Sequence, residues 1–396
     1  METRTKILIE GYSHLPTYDM LVQSFNRFCN IIPIDVRCKL SRNINKCDIQ
    51  WCDVLLLVRG DNPLSAYLAQ TAKQAGRKVI LFLDDDLVAV RSEVISFENR
   101  YCYKSLIKVI NTADYLLTSS SYLGDKYKRN YSLKYVQINT DIGKEQIAHL
   151  PHLNKNGQIK IIYAASRGHK VFFEDLISPI LNRLYDRYGK RVSVTVIGPD
   201  VSVNDIKLEV LNLRPMPFEE YRNYMNNNNF DIGLAPLYDT EICRSKYFNK
   251  YLEYTINGIC GIYSDVIPYT IAVRNEENGY LANNTLDDWY TVICKAIDDI
   301  DKSTKIVENA QEDVLLNYCV DAIASKLYAD MKDVFEYRAQ EKQQPQCDRM
   351  YIKYLSKAVY RNILKCIDRY RQKGWKYVVK EILYRLKFSS KLPSHF

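Results

Sequence analysis

FDIGLAPLYDTEICRSKYFNKYLEYTINGICGIYSD, residues 230–265, holds a buried strand, a polar loop, a helix and a second strand in one run. Asp231 to Pro236 is a short apolar run bounded by Asp and Pro, the pattern of a strand covered on both faces in a parallel sheet. Tyr238 to Cys243 supplies turn residues. Ser245 reads as a helix N-cap, and Tyr247, Tyr251, Leu252 and Tyr254 keep a helical spacing that stops at Asn257-Gly258. On that reading Lys246, Lys250 and Glu253 recur at three- and four-residue steps on one helical face, just past a strand's carboxyl end, where α/β proteins bind ligands.

Working outward, the first half of the chain alternates strand and helix. Expected strands are Lys6–Glu10, Ile31–Val36, Asp53–Val58, Val79–Leu83 and Tyr115–Thr118; the helices between them include Tyr18–Cys29, one ending at Ala75, and Tyr103–Asn111. Ser119-Ser120-Ser121 caps a further helix. Repeated units of this size predict a parallel, doubly wound sheet with right-handed crossovers. The polar stretch from Asn139 to Gly157 breaks the periodicity and marks a domain boundary. Beyond it, strands Ile159–Ala164 and Val192–Ile197, a helix Phe172–Tyr188, a short strand near Leu211 and a helix Phe218–Met225 lead into the opening stretch. Helices Thr285–Ile300, Lys302–Tyr318 and Val320–Glu336 follow it. The expected architecture is therefore α/β, with two Rossmann-like doubly wound domains, 1–145 and 158–335, and a basic helical extension, 347–396.

Neither Gly-x-Gly-x-x-Gly after the first strand nor a Walker pattern is present, which argues against a dinucleotide dehydrogenase and a phosphate-loop NTPase. The 11 cysteines are odd in number, scattered, and never paired as Cys-x-x-Cys, as in a reducing compartment. With Met1 to Lys6 leading straight into a strand-like run, no signal peptide is expected, and no apolar window approaches the ~20 residues that span a bilayer.

Charge is unevenly placed. Asp348 to Phe396 holds thirteen Lys and Arg against three Asp and Glu, a net +10 that exceeds the +8 of the whole chain. Lys353, Lys357, Arg361, Lys365 and Arg369 repeat every four residues, with Ile352, Leu355, Val359, Ile363 and Ile367 on other faces; after Gly374 a second amphipathic segment runs from Trp375 to Phe388. That composition suits the inner-leaflet membrane surface, and equally a solvated helical appendage packed on the body. Nucleic acid is not expected as a partner, since no recognition module accompanies the basic residues.

DIGLAPL at 231–237, KYFNKYLEYTINGICGIYSD at 246–265, ENGYL at 277–281, DDWY at 287–290 and Asn309-Ala310 together resemble nucleotide-sugar glycosyltransferases of the GT-B fold, of the retaining type found in bacterial polysaccharide synthesis. ADYLLTSSSYL at 113–123 and Asp84-Asp85-Asp86 extend the resemblance into the first domain. It implies a sugar moved from a nucleotide-sugar donor, bound by the second domain, to a glycan or lipid-linked acceptor, bound by the first, with closure about 139–157 excluding water. With the scattered cysteines and the basic extension, the expectation is a cytoplasmic enzyme, peripheral at the cytoplasmic membrane, without cofactor or metal. The alternatives are a non-catalytic nucleotide-binding scaffold of the same fold and a nucleotide-sugar 2-epimerase.

A departing nucleoside diphosphate concentrates negative charge that cations or a helix N-terminus must stabilise. Lys246, Arg167 and His169 are the expected catalytic residues, with Lys170, Lys250, Glu253 and Asp239 binding the donor. Glu253 resembles the family's ribose-binding glutamate, since one carboxylate accepts from two hydroxyls. The family's second glutamate, eight positions earlier, is Ser245 in this chain, and Asp239 or Glu241 is a possible substitute. Asp84, Asp85, His14 and Arg59, each just after an expected strand, are the acceptor-side candidates; Asp84-Asp85-Asp86 reads as polar structure or acceptor contact ahead of a metal site.

Overall fold

The computed structural model describes residues 4–93, 96–147, 157–339 and 350–375. The chain divides into two compact units, the first comprising Met1–Thr118, Gly124–Val136 and Tyr328–Phe396, the second Ser119–Leu123 and Gln137–Leu327.

The first unit is built on strands β1 (Thr5–Gly11), β2 (Ile34–Leu40), β3 (Val54–Val58), β4 (Lys78–Leu83), β5 (Tyr115–Thr118) and β6 (Tyr135–Gln137). Between them run helices α1 (Pro16–Phe28), α2 (Lys46–Trp51), α3 (Pro63–Gln74), α4 (Leu87–Glu93), α5 (Phe97–Ile110) and α6 (Ser121–Tyr131). The sheet order is β2-β1-β3-β4-β5-β6. β3 is buried along its whole length, as its unbroken VLLLV requires of a strand covered on both faces. The second strand starts later than its apolar residues suggest: Ile31 and Ile32 donate back to Phe28 at the end of α1, and Pro33, with no N–H, precedes the true edge strand.

The second unit repeats the plan with β7 (Ile159–Ala164), β8 (Val192–Ile197), β9 (Glu209–Leu213), β10 (Ile232–Ala235), β11 (Cys260–Ser264) and β12 (Tyr280–Ala282), in the order β12-β11-β10-β7-β8-β9. Its helices are α7 (Lys170–Leu176), α8 (Leu181–Tyr188), α9 (Phe218–Asn227), α10 (Glu241–Arg244), α11 (Asn249–Ile256), α12 (Tyr269–Ala272), α13 (Leu286–Asp298), α14 (Ile300–Asn317) and α15 (Val320–Asp330). The single helix expected over Phe172–Tyr188 is two, because Pro179 withholds an N–H and a short 3-10 turn, Ser178–Ile180, joins them.

The helix expected to end at Glu336 is likewise broken after α15. The chain re-enters the first unit as α16 (Lys332–Phe335), where Thr5 Oγ1 donates to the Phe335 carbonyl and Ala339 N donates to Asp53 at 2.9 Å. The last described helix, α17 (Met350–Lys373), packs on α5 and α3. It docks through polar groups: Asp368 accepts from the N–H groups of Phe97 and Glu98 at 2.9 and 2.8 Å, capping α5, and Arg361 meets Glu98 at 3.1 Å. The linker 340–346 and the second amphipathic segment beyond Trp375 lie outside the described residues. No helix among those described is long and apolar enough to cross a membrane.

Candidate active site

In the second sheet β7 and β10 are parallel neighbours, and the order runs outward from them in opposite directions. The crevice at their carboxyl ends is the switch point where open α/β sheets bind ligands. The loops that follow these two strands carry Arg167 to Lys170 and Leu237 to Phe248.

α11 is fixed to β10 by one tyrosine. Gly233 has no side chain, and a Cβ there would fall 2.6 Å from the Tyr254 ring, which presses on the strand and donates its Oη to the Leu234 carbonyl at 2.9 Å. That contact sets the azimuth of the helix and presents Lys250 and Glu253 together. Lys250 Nζ lies 2.6 Å from Glu253 Oε1, and half-buried Tyr221, from α9, donates its hydroxyl to the same oxygen while accepting from Lys250 at 3.2 Å. Burial and the Glu253 charge drive the Tyr221 hydroxyl well above its ordinary pKa, so it stays a donor. Both contacts to Glu253 fall on Oε1; among the described residues none reaches Oε2, and the side chain is about a quarter exposed.

The start of the helix differs from expectation. Ser245 is not its N-cap: it is the buried C-cap of α10, its Oγ donating to the Glu241 carbonyl at 2.9 Å, and α11 begins at Asn249 behind Phe248. Lys246 therefore sits in the bend between two helices, its N–H bonded to the Cys243 carbonyl, and not in a helix's first turn. Burial first, then the nearby charges of Lys246 and Lys250, push His169 down to about 4, so a neutral imidazole and two ammonium groups share one region. Tyr163 Oη holds the His169 carbonyl at 2.8 Å and the ring packs on Phe172.

Of the remaining donor-side candidates, Lys170 pairs with Glu174 at 3.3 Å in the first turns of α7, and Asp239 is clamped by Arg244 through two contacts of 2.6 and 2.7 Å. Arg167 opens the short turn Arg167–His169; its side chain lies outside the described residues. The loop bearing it is braced by Gly198, at φ +106°, where a Cβ would sit 1.9 Å from the Ala165 carbonyl oxygen. Neither Gly198 nor Tyr221 was flagged by sequence. A glycine directly after a strand was the available signal for the first, and one tyrosine among 32 gave none for the second.

In the first unit the corresponding switch point lies between β1 and β3. Arg59, left-handed at φ 64°, donates to both oxygens of Asp84 at 2.8 and 2.7 Å and approaches Asp85 at 3.6 Å, while Thr17 donates to Asp84 at 2.6 Å. Asp86 is buried against Lys126 at 2.6 Å and caps α4 through Ala89 N. His14 is exposed and paired with Asp19 at 3.0 Å. Among the described residues no group of three or more His, Cys, Asp and Glu is placed to hold a metal ion. Sequence also passed over Glu10, fully buried at the end of β1, which accepts from Ser41 and, at 2.7 Å, from Ser65; its Oε2 has no partner among the described residues, and burial raises the carboxyl pKa to about 7.

Two six-stranded Rossmann-like units of this topology match known structures across most of the chain. The fold is GT-B. Sucrose-phosphate synthase from Thermosynechococcus elongatus superposes with a TM-score of 0.60 at 13% identity, covering 84% of this chain and 99% of that one. HepE from Anabaena, in complex with UDP and glucose, gives 0.58 at 13% identity over 83% and 99% of the two chains. A glycosyltransferase from Rickettsia africae gives 0.57 at 14% over 84% and 99%. No protein-family model and no curated protein matches the sequence. At these identities the likeness to GT-B structures establishes architecture, and the chemistry rests on the residues above.

Proposed function

We propose that this protein is a glycosyltransferase that moves a sugar from a nucleotide-sugar donor to a glycan or lipid-linked acceptor, with retention of configuration, in the synthesis of a bacterial surface polysaccharide such as capsule. What supports the reading is the Lys250–Glu253 pair on the helix after β10, together with His169 on the loop after β7, kept neutral by burial and by the charges of Lys246 and Lys250. Similar folds include proteins solved with UDP and glucose, which supports a nucleoside diphosphate as the ligand class.

The two ammonium groups stabilise the charge that builds on the diphosphate as the sugar–phosphate bond breaks. His169, held neutral, adds a hydrogen bond without adding charge, and Arg167 supplies a further cation from the same loop. Oε2 of Glu253 accepts from a ribose hydroxyl, with Lys250 and Tyr221 fixing the carboxylate through Oε1. No side chain is assigned as a nucleophile, since the leaving phosphate can take the proton of the incoming hydroxyl on the same face. Arg59 with Asp84 and Asp85 forms the acceptor-side counterpart in the first unit.

The test is a thermal-shift screen of nucleoside diphosphates and nucleotide sugars followed by donor turnover. Stabilisation rises with the logarithm of ligand excess over Kd, and both binding and turnover are expected to fall in Glu253→Ala and Lys246→Ala. Unchanged turnover in both variants overturns the site. Binding without turnover across all acceptors favours the scaffold reading, and turnover of the donor to an isomer without any acceptor favours the epimerase.

A further inference from the structure

A surface helix ordinarily turns its apolar side inward and its charges out. α17 does the reverse. Its docked side, among the described side chains, is Arg361, Leu364 and Asp368, spaced three and four residues apart; Arg361 is ion-paired to Glu98 and stacked over Tyr12, Asp368 caps α5, and among those described only Leu364 is an apolar residue buried there. The opposite side carries Val359, Ile363, Ile367 and Tyr370, at steps of four, four and three, each between 39% and 55% exposed, with Trp375 exposed beyond them. Arg369 and Lys373 border that stripe on the helical projection.

Beside α17 the helices α3 and α5 leave a cavity of about 330 Å³ lined by Gln70, Tyr101, Tyr103, Lys104 and Lys108. Tyr101 belongs to both features, for its ring packs edge-on against Tyr360 of α17 at 5.1 Å. Through Tyr360, next to Val359, the lysine-lined cavity adjoins one edge of the apolar stripe, while Arg369 and Lys373 border its other edge.

We propose that this face docks on an anionic phospholipid bilayer, with the α17 stripe entering the headgroup–acyl boundary and a lipid phosphate seated at Lys104 and Lys108. A second copy of the chain is disfavoured as occupant because a two-fold contact would bring the net +6 of α17, seven Lys and Arg against Asp368, against itself. A nucleic acid offers nothing to cover four apolar side chains. An anionic membrane answers both demands, burying the stripe and attracting the cations, each worth about a fivefold gain in binding near such a surface.

Co-flotation of the full chain with vesicles of phosphatidylglycerol and phosphatidylcholine, against phosphatidylcholine alone, tests this without nucleotide sugar, so its failure is separate from failure of the transferase reading. Binding is expected only to the anionic vesicles and should weaken with salt. Ile363→Asp with Ile367→Asp should abolish it while leaving the melting temperature unchanged, because both side chains are exposed. Arg369→Glu with Lys373→Glu should weaken it at least tenfold. Equal binding to neutral vesicles, or full binding by either pair, overturns the docking. A wild-type dimer split to monomers by the two aspartates overturns it in favour of a contact between copies. Full binding by Lys104→Glu with Lys108→Glu overturns the phosphate seat.

Discussion

Lys250 and Glu253 are one helical turn apart on α11 and meet at 2.6 Å, with the Tyr221 hydroxyl closing the triangle on the same carboxylate oxygen. Two donors on one oxygen hold the carboxylate in a single orientation and leave the other for a ligand. Truncating it should therefore harm the ligand more than the fold. Glu253→Ala is expected to weaken nucleoside-diphosphate binding by roughly 10- to 100-fold, the worth of a charged hydrogen bond. Tyr221→Phe should cost less, about fivefold, by freeing the carboxylate to rotate. Calorimetric titration with UDP checks both, and a smaller loss in Glu253→Ala than in Tyr221→Phe rules out the ribose role.

Lys246 stands at the bend between α10 and α11, and its charge, with that of Lys250, lowers the pKa of His169. If it stabilises charge that appears only as the bond breaks, Lys246→Ala should lower kcat by about 10²- to 10³-fold with a smaller change in KM. Steady-state kinetics with the donor identified by thermal shift makes the comparison. An effect confined to KM would assign Lys246 to ground-state binding.

His169 gives the second unit a pH dependence of known sign. Its folded pKa, about 4, lies below the ordinary 6.5, so the unfolded chain binds the proton more readily. The contribution is present above pH 6.5 and is lost as pH falls toward 4, by up to about 3 kcal/mol. His169→Asn should flatten the melting temperature across that window. A bound diphosphate offsets the two lysine charges, so ligand binding should coincide with proton uptake near pH 5.

Glu10 acts in the opposite sense in the first unit. Burial raises its carboxyl from 4.5 to about 7, so the folded state binds the proton more tightly. Stability from this group is full below pH 4.5 and is lost as pH rises through 7. Glu10→Gln keeps the shape and removes the charge, and is expected to raise the melting temperature at pH 8 and change it little at pH 5. Equal shifts at both values would show that the carboxyl is not titrating there.

Gly198 and Gly233 are predicted to tolerate no side chain. Alanine at 233 meets the Tyr254 ring and should cost about 1–3 kcal/mol by overpacking, loosening the clamp on α11. Alanine at 198 meets a carbonyl oxygen, which cannot swing aside, from a backbone angle that L residues rarely adopt; it should cost more. Denaturant titration ranks the two. A Gly198→Ala protein as stable as wild type would show that the loop after β7 is free to move.

The alternation of apolar runs with helical periods was enough to fix the two sheets of the fold, because a strand buried on both faces can be little else than an unbroken run such as VLLLV. The stretch 230–265 likewise announced a strand, a loop, a helix and a strand, and Lys250 and Glu253 fall on one face by arithmetic alone. Spacing could not locate the helix start, since a serine caps either end with one hydroxyl, and only the bond from Ser245 Oγ to the Glu241 carbonyl decides between them. Nor could it show Tyr221, 32 residues from Glu253, or the nearness of His169 to lysines some 80 residues on, for sequence separation says nothing of which loops a sheet gathers at its switch point. The direction α17 faces was equally hidden. Periodicity gives a helix two sides, and only the Asp368 cap and the Arg361–Glu98 pair determine that the polar side docks and the apolar side is left outward.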